Sequence, residues 1–281
     1  MKEAQFYEKN GDTVLCRLCP HGCKITDGET GLCNVRRNKN GVLIAESYGK
    51  ISSIALDPIE KKPLKRFYPG SKILSAGSFG CNMKCAFCQN CGISQEIPQT
   101  VYVSPEELTR KAKEIPENLG VAFTYNEPLI SVEYILDTAA LLKENGLKAV
   151  LVTNGMINPE PLKALLPFTG AMNIDVKGFT EAYYRKLGGS LDAVKRTVEI
   201  SATACHVEVT TLIVPGENDN AEEIRELSKW LSGISPEIPL HLSRFFPRYK
   251  MLDTPPTQAE TICALAKEAG KYLKFIYLGN L

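Results

Sequence analysis

From Ile73 onward, short apolar runs alternate with stretches in which apolar residues recur at helical spacing. The runs predict six strands, in the segments ILSAGSF, GVAFTYN, KAVLVTNG, AMNIDVKG, HVEVTTLIVPG and PLHLSRFFP, and KFIYLGN is a candidate for a closing strand. The clearest helical segments are SPEELTRKAKEI, SVEYILDTAALLKENG, NAEEIRELSKWL and AETICALAKEAGKYL. Such alternation predicts an α/β fold built from βαβ units, with a parallel sheet that is either open or barrel-like.

Helix-boundary signals agree with this pattern. Ser104 is a capping residue, Pro105 occupies the first helical position and Glu107 follows three residues after the cap. The next helix is predicted to end at Gly146. Residues 1–72 lack a strong helical period and contain many glycines and cysteines. We therefore predict a small N-terminal module with a connector over residues 1–72, and a second domain over residues 73–281.

Composition and charge give no indication of a nucleic-acid or membrane partner. Apolar residues make up 44% and charged residues 23% of the 281 residues, as in an ordinary globular protein. The 33 basic and 32 acidic side chains nearly cancel, so charge gives no reason to expect nucleic acid or a membrane as partner. The start, MKEAQFYEKNGDT, has no apolar signal region, and no apolar run is long enough to span a bilayer. We expect a cytoplasmic protein.

Eight of the ten cysteines fall into two groups of four. The first group is Cys16, Cys19, Cys23 and Cys33, and the second is Cys81, Cys85, Cys88 and Cys91. In a reducing cytosol such groups are typical of metal ligands or catalytic thiols rather than disulfides. Cys205 and Cys263 stand alone, and we expect both to be buried packing residues.

Polar or glycine-containing residues follow each predicted strand. They are Cys81 after the first strand, and then YNEP, TNG, DVKG, VPGEND and HLSRFFP. Ligands of parallel α/β folds bind at the carboxyl ends of the strands, so we expect these segments to meet along one rim. The same residue types also build ordinary turns, and it is the cysteine group among them that favours a site.

The second cysteine group fits neither of two common metal patterns. Zinc ribbons have two separated C-x2-C pairs, and CNMKCAFCQNC supplies no second pair. A ferredoxin pattern can begin at Cys85, Cys88 and Cys91, but GISQEIP contains no fourth cysteine. Three thiolates on a four-iron cluster leave one iron without a protein ligand, and an open metal position is where chemistry takes place.

With Cys81-x3-Cys85-x2-Cys88 at the end of the first strand and Phe87 just before the last thiol, the chain resembles radical S-adenosylmethionine (SAM) enzymes. The resemblance extends from Cys16 to about Asn280. It is closest to the branch that holds the glycyl-radical-enzyme activases and the AmmeMemoRadiSam enzymes. TYNEPLI, VTNG, NIDVKG, VTTLIVPGEND and HLSRFFPRYKM are similar to the second group in particular. The resemblance implies a partial parallel (β/α)6 TIM-like barrel behind the cysteine-rich module.

The resemblance also implies the chemistry. Cys81, Cys85 and Cys88 would hold a [4Fe–4S] cluster whose remaining iron is chelated by the amino and carboxylate groups of SAM. An electron from the cluster then cleaves SAM to methionine and a 5′-deoxyadenosyl radical, which abstracts hydrogen from a substrate. Such an enzyme is expected to be oxygen-sensitive and to need a flavodoxin- or ferredoxin-type reductant. Cys91 lies outside the triplet, either as a spare thiol or as a substitute ligand or substrate-facing residue.

Residues at the next strand ends receive roles from the same resemblance. YNEP stands where activases have Gly-Gly-Glu-Pro, so Glu127 is expected to accept from the SAM ammonium. Asn126 replaces a glycine whose backbone binds there. Thr153 and Asn154 are expected near the methionyl group, and Phe87 is counted with the cofactor-binding residues.

Two further pairs complete the expected SAM site. Asp175 and Lys177 are two residues apart on a strand and point to the same face. Lys177 is expected to pair with the SAM carboxylate, while Asp175 faces the ammonium or the cluster. His241 and Arg244 lie on the strand where the family places adenine or substrate contacts, although a core position is the alternative for His241. The sequence names no catalytic residue.

The N-terminal cysteine group has the spacing C-x2-C-x3-C-x9-C, with His21 as a substitute ligand. Four thiolates can bind a zinc ion, which would stabilise a module too small to build its own core. They can also bind a second iron–sulfur cluster, which would carry electrons inward. The spacing does not decide between these metals.

The leading hypothesis is a radical SAM enzyme of the AmmeMemoRadiSam type that acts beside Memo-like and AMMECR-like proteins on a substrate the residues do not specify. A second hypothesis is an activase that installs a glycyl radical on a partner enzyme, which would be a protein substrate. A non-catalytic iron–sulfur or zinc protein for electron transfer is the alternative from another class, and it would need no SAM contacts. A zinc hydrolase is weaker, because none of the three histidines has HxxxH spacing.

Overall fold

The computed structural model describes all 281 residues. The strands are β1 (Tyr7–Asn10), β2 (Thr13–Cys16), β3 (Lys24–Ile25), β4 (Arg36–Lys39), β5 (Val42–Ala45), β6 (Lys50–Ile51), β7 (Ser53–Pro58), β8 (Lys72–Gly77), β9 (Val101–Tyr102), β10 (Asn118–Phe123), β11 (Lys148–Thr153), β12 (Thr169–Asp175), β13 (His206–Ile213), β14 (Leu240–Arg244) and β15 (Ile276–Gly279). The α-helices are α1 (Cys91–Ser94), α2 (Pro105–Glu114), α3 (Val132–Glu144), α4 (Pro159–Leu165), α5 (Glu181–Lys186), α6 (Leu191–Ala202), α7 (Ala221–Ile234) and α8 (Ala259–Ala269). Short 3-10 helices cover Ile59–Lys61, Pro128–Ser131 and Leu166–Phe168. None of the helices has both the length and the apolar character that a bilayer crossing requires.

Eight strands form the central sheet, in the order β15-β14-β13-β12-β11-β10-β8-β7. All neighbours from β8 to β15 are parallel, and β7 pairs antiparallel with β8. The predicted α/β class with a mostly parallel sheet is confirmed. The candidate closing strand in KFIYLGN is present as β15, so the sheet has seven parallel strands rather than the six of the expected barrel, and β7 adds an antiparallel eighth strand.

The predicted helix boundaries match the structure where capping chemistry defined them. The Ser104 side chain accepts a hydrogen bond of 3.2 Å from the Glu107 amide at the start of α2. α3 ends before Gly146, which adopts a φ of 72°, a conformation that glycine reaches without steric cost. Local sequence signals were therefore sufficient for these elements.

Residues 1–52 form small antiparallel ladders rather than a large sheet. β1, β2 and β3 make one three-stranded sheet, and β4 pairs with β5. Buried residues of this region, such as Val14, Leu18 and Ile25, belong to the same apolar core as the central strands. β7 pairs with β8 along its whole length, so the predicted boundary at residue 72 does not coincide with a break in the sheet.

The connector between β7 and β8 packs on the central sheet. Leu64 and Phe67 form an apolar cluster with residues of four parallel strands, namely Ile73, Ala122, Val150 and Ala171. The connector backbone is also held by Glu208 of β13, whose carboxylate accepts from the Lys65 and Arg66 amides at 3.0 and 2.7 Å. The connector is therefore part of the main fold.

The two isolated cysteines differ from the prediction of buried packing residues. Cys263 is exposed, and Cys205 is only half-buried. Cys263 lies on α8, where Ile262 and Leu265 are the residues that turn inward and fill the core. A helix buries only one stripe of its residues, and Cys263 lies outside that stripe.

Candidate active site

An irregular loop follows β8 and carries three cysteines before α1 begins at Cys91. Gly80 has a φ of +84°, and a Cβ at this position would lie 2.6 Å from the Cys33 carbonyl oxygen. Only glycine combines this conformation with such a close approach. The Lys84 amide donates to the Leu187 carbonyl at 2.8 Å, and the Lys250 amide donates to Ala86 at 2.9 Å. The loop is thus held from several sides.

The three loop thiols lie at or below the surface. Cys85 is buried, whereas Cys81 and Cys88 are half-buried. The Cys81 sulfur has two N–H donors, the Met83 amide at 3.4 Å and the Asn154 side chain at 3.6 Å. Donors of this kind stabilise negative charge on sulfur, which a metal-bound thiolate carries.

Burial controls the protonation of these thiols. It raises the pKa of Cys85 to about 11, although the nearby Lys177 charge acts in the opposite direction. Burial also raises the pKa of Cys81, and the Glu127 carboxylate adds to the rise. Both free thiols therefore stay protonated at neutral pH, and a bound metal would displace their protons.

The thiol spacing bears on the kind of metal group. No three His, Cys, Asp or Glu side chains in the chain converge closely enough to share one metal ion. A four-iron cluster is wider than an ion, and its thiolate ligands bind different iron atoms. Three thiols on one loop with N–H donors beside Cys81 therefore fit such a cluster.

Glu127 joins the neighbouring strand ends to this loop. Its carboxylate accepts from the Thr153 hydroxyl at 2.6 Å, the Asn154 amide at 2.8 Å and the Leu129 amide at 3.0 Å. Burial raises the pKa of Glu127 to about 7, since it outweighs these three donors and the Asp175 carboxylate adds repulsion. No cationic side chain offsets the Glu127 charge among its hydrogen-bond partners. Glu127, Thr153 and Asn154 are thus brought together, as the sequence predicted.

Asp175 and Lys177 form an ion pair with Oδ2 and Nζ 2.6 Å apart. Burial alone would lower the pKa of Lys177. The combined attraction of Asp175 and Cys85 has the larger effect and raises the pKa above its usual value, so Lys177 stays charged. The Lys177 amide donates to the Tyr184 hydroxyl at 3.0 Å, and Asn218 donates to the Lys177 carbonyl at 2.8 Å. These contacts hold Lys177 near enough to Cys85 for its charge to act on that thiol.

The side chains of two predicted cofactor-binding residues contact other parts of the protein in the structure. The Asn126 side chain accepts from the Ser78 amide at 2.9 Å and donates to the Phe79 and Gly80 carbonyls at 3.0 and 3.2 Å. Its side chain thus holds the cysteine loop in place. Phe87 is buried in the main apolar core. The contacts of both residues with SAM stay predictions.

His241 and Arg244 have hydrogen-bond partners outside the cysteine loop. The His241 Nε2 lies 2.6 Å from the Glu208 carboxylate, and its ring stacks on Tyr277 at 5.2 Å between centroids. The Arg244 Nε donates to the Thr257 carbonyl at 2.5 Å. This burial against a carboxylate agrees with the core alternative for His241, and its cofactor contact stays a prediction. Arg244 ends its strand with its Nε committed to the backbone.

The structure also shows contacts that sequence reasoning missed. Asn82, directly after Cys81, donates to the Met156 carbonyl at 2.7 Å and accepts from the Asn154 side chain at 3.0 Å. The Cys88 sulfur lies 3.1 Å from the Ser94 hydroxyl. Adjacency to a candidate ligand was the only signal for Asn82. Cys91 begins α1, outside the loop, and its role stays a prediction.

The four N-terminal thiols line one enclosed cavity. Cys16 and Cys33 are buried, and Cys19 and Cys23 are half-buried. Burial raises the pKa of Cys19 to about 12. The predicted grouping of these thiols is therefore seen in the structure, although their metal stays a prediction.

Comparison with known sequences agrees with the thiol loop. The family model described as the radical SAM superfamily matches residues 77–231, more than half of the chain. An uncharacterised protein of Methanocaldococcus jannaschii is 44% identical over 291 aligned residues, which cover 100% of this chain and 86% of that protein. The pyruvate formate-lyase-activating enzyme of Clostridium pasteurianum is 25% identical over 164 residues, or 55% of this chain and 67% of the enzyme.

A solved structure agrees at the level of the fold. The structure of TYW1 with a lysine–pyruvate adduct superposes with a TM-score of 0.54 and covers 96% of this chain and 87% of that one. The sequence identity is only 18%, so the likeness concerns the fold alone.

Proposed function

The chain belongs to the radical SAM superfamily, and on that premise we propose that it cleaves SAM reductively at a [4Fe–4S] cluster held by Cys81, Cys85 and Cys88. Membership implies both the cluster and SAM. The observation that carries the assignment to these residues is the three-thiol loop after β8, joined to the buried Glu127 through Asn154. The fourth iron then has no protein ligand from this loop and is the position for SAM.

The cofactors supply the electron transfer and the 5′-deoxyadenosyl radical that abstracts a hydrogen atom from the substrate. The chain supplies binding, orientation and protection. The thiolates of the loop hold the cluster, and the Asn154 and Met83 N–H groups stabilise the negative charge on Cys81. Asn126 fixes the backbone that leads into the loop.

Glu127 and Lys177 orient the two charged ends of the SAM methionyl group. Glu127 is a buried carboxylate with three neutral donors and no cationic one, so the SAM ammonium completes its charge balance. Lys177 is a half-buried cation whose charge acts on Cys85, and it binds the SAM carboxylate. Its present partner Asp175 then turns to the ammonium or the cluster.

Within this chemistry we place the chain with the AmmeMemoRadiSam enzymes, acting on an unidentified substrate beside Memo-like and AMMECR-like proteins. The support is the set of rim motifs around Glu127, Asn154, Lys177 and Arg244. A flavodoxin- or ferredoxin-type protein is the proposed reductant. Glycyl-radical activation is the second candidate, and the identity of 25% with a pyruvate formate-lyase-activating enzyme is the observation that favours it.

The test uses anaerobically reconstituted protein reduced with dithionite in the presence of SAM. Mass spectrometry follows 5′-deoxyadenosine and methionine in wild type, Cys85→Ala and the matched control Cys91→Ala. We expect cleavage in wild type and Cys91→Ala and none in Cys85→Ala. Wild type with an intact cluster and no cleavage would overturn the proposal and favour a non-catalytic electron-transfer protein.

A further inference from the structure

The N-terminal cysteine group forms a second site behind the candidate active site. Cys16 ends β2, Cys19 and Cys23 lie on the following turn, and Cys33 precedes β4. All four thiols line one enclosed cavity, together with His21 and Asn82. Four thiols on one cavity are a donor set for soft metals, because thiolates select zinc or iron–sulfur clusters.

An unpartnered buried donor lies on the same cavity. Arg36 also lines it and is only 1% exposed. Its Nη1 donates to Glu133 at 2.9 Å and its Nη2 donates to the Gln5 carbonyl, but its Nε has no hydrogen-bond partner. Buried donors almost always have an acceptor. A thiol is a weak acceptor, whereas the sulfur of a metal-bound thiolate is negatively charged and accepts readily.

The charges around the cavity bear on what the thiols can hold. Arg36 and Glu133 form a buried ion pair and largely cancel each other. Thiolates left alone in the interior would be strongly unfavourable, so without a metal the four thiols keep their protons. A bound metal centre would offset part of the thiolate charge as those protons pass to solvent, and the Arg36 Nε is a buried donor for the negative charge that remains.

The cavity touches the active-site loop on both sides of Cys81. Before it, Gly80 packs so closely on Cys33 that a Cβ would meet the Cys33 carbonyl oxygen. After it, the Asn82 carbonyl lies 2.7 Å from the Nε2 of His21, which lines the cavity. The N-terminal site therefore contacts the backbone on both sides of Cys81.

We propose that the four N-terminal thiols bind a second metal centre, zinc or iron–sulfur, and that this centre fixes the loop that carries Cys81. The metal site stands independently of the proposed function. The effect on the loop rests on it, because it assumes that Cys81 holds a cluster. Since no three of these side chains converge closely enough in the structure to share one ion, zinc would have to draw the sulfurs to about 3.8 Å from one another, given zinc–sulfur bonds of about 2.3 Å.

Elemental analysis of the anaerobically purified protein tests the metal site. We expect wild type to contain either about one zinc per chain or about four irons beyond those of the active-site cluster. Cys19→Ser should lose this metal and keep the rest, Cys85→Ser should do the reverse, and Cys205→Ser should keep both. Wild type without zinc and without extra iron would overturn the proposal, and this result does not depend on whether a variant folds.

Electron paramagnetic resonance tests the effect on the loop. SAM should change the signal of the reduced active-site cluster in wild type and Cys205→Ser, and the change should be altered in Cys19→Ser that retains its active-site iron. An identical response in Cys19→Ser would overturn the coupling. If SAM leaves even the wild-type signal unchanged, the proposed function fails, whereas the metal analysis still decides the N-terminal site.

Discussion

Glu127 and Glu208 are both buried carboxylates, 3% and 0% exposed, yet their surroundings differ. Burial raises the pKa of Glu127 to about 7, because its three donors are neutral and Asp175 repels it. Burial also acts on Glu208, but His206, His241 and two backbone amides outweigh it and hold its pKa at about 2. The protein itself thus stabilises the charge of Glu208, whereas the charge of Glu127 has no cationic partner. This difference separates a structural carboxylate from a ligand-binding one.

The largest expected effect follows from removing the satisfied carboxylate. Glu208→Ala leaves two histidine rings and the Lys65 and Arg66 amides without their acceptor, so we expect a loss of about 3–5 kcal/mol in the free energy of unfolding. Urea unfolding followed by circular dichroism measures it. The exposed Glu226→Ala serves as control and should change little. A loss no larger than that of the control would contradict the structural role of Glu208.

The next effect concerns SAM affinity. Glu127→Gln keeps the shape of the side chain but removes its charge, so we expect SAM to bind about 10–100-fold more weakly, or about 1.4–2.8 kcal/mol. Equilibrium dialysis of reconstituted protein with radiolabelled SAM measures it. Glu208→Gln is the matched control and should bind SAM like wild type. Equal losses in the two variants would mean that neither carboxylate contacts SAM.

A smaller effect is expected from pH. A SAM cation favours the ionised form of Glu127, whose pKa of about 7 in the free protein is raised, so the ionised fraction falls as pH drops below 7. The affinity for SAM should therefore fall about fivefold between pH 7 and 6. Glu127→Gln should lack this part of the pH dependence. Glu208→Gln should keep it, since Glu208 is ionised throughout that range.

The remaining expected effects concern the two histidines on Glu208. His241→Gln should cost about 1–2 kcal/mol of unfolding free energy, because the ring is buried and bonded to a carboxylate. His206→Gln should cost less, since the His206 side chain is 29% exposed. Neither change should alter SAM affinity. A selective loss of SAM affinity in His241→Gln would instead support the predicted contact between His241 and the cofactor.

Much of the central fold is predictable from the sequence because its signals are local. Each signal, such as an apolar run, the Ser104 cap or Gly146, lies within a few residues of the strand or helix that it defines. The pairing of β7 with β8 is different, because it depends on a connector that folds back on the sheet. No pattern within Ser53–Pro58 marks that pairing.

The candidate site divides in the same way. The thiol triplet and the grouping of Glu127, Thr153 and Asn154 follow from strand ends that meet on one rim. The partners of His241 and Asn126 do not, because a polar side chain near a strand end contacts whichever loop packs on it. Glu208 is 33 residues from His241 and more than 140 from the Lys65 amide, so only the folded chain shows that they meet.

The most direct test asks whether SAM binds the iron that lacks a protein ligand. Electron–nuclear double resonance on the reduced protein, with SAM labelled by nitrogen-15 at the amino group or oxygen-17 at the carboxylate, detects such binding. We predict hyperfine coupling from both labels in wild type and in Glu208→Gln. An intact, reduced wild-type cluster that shows coupling to neither label would contradict the account.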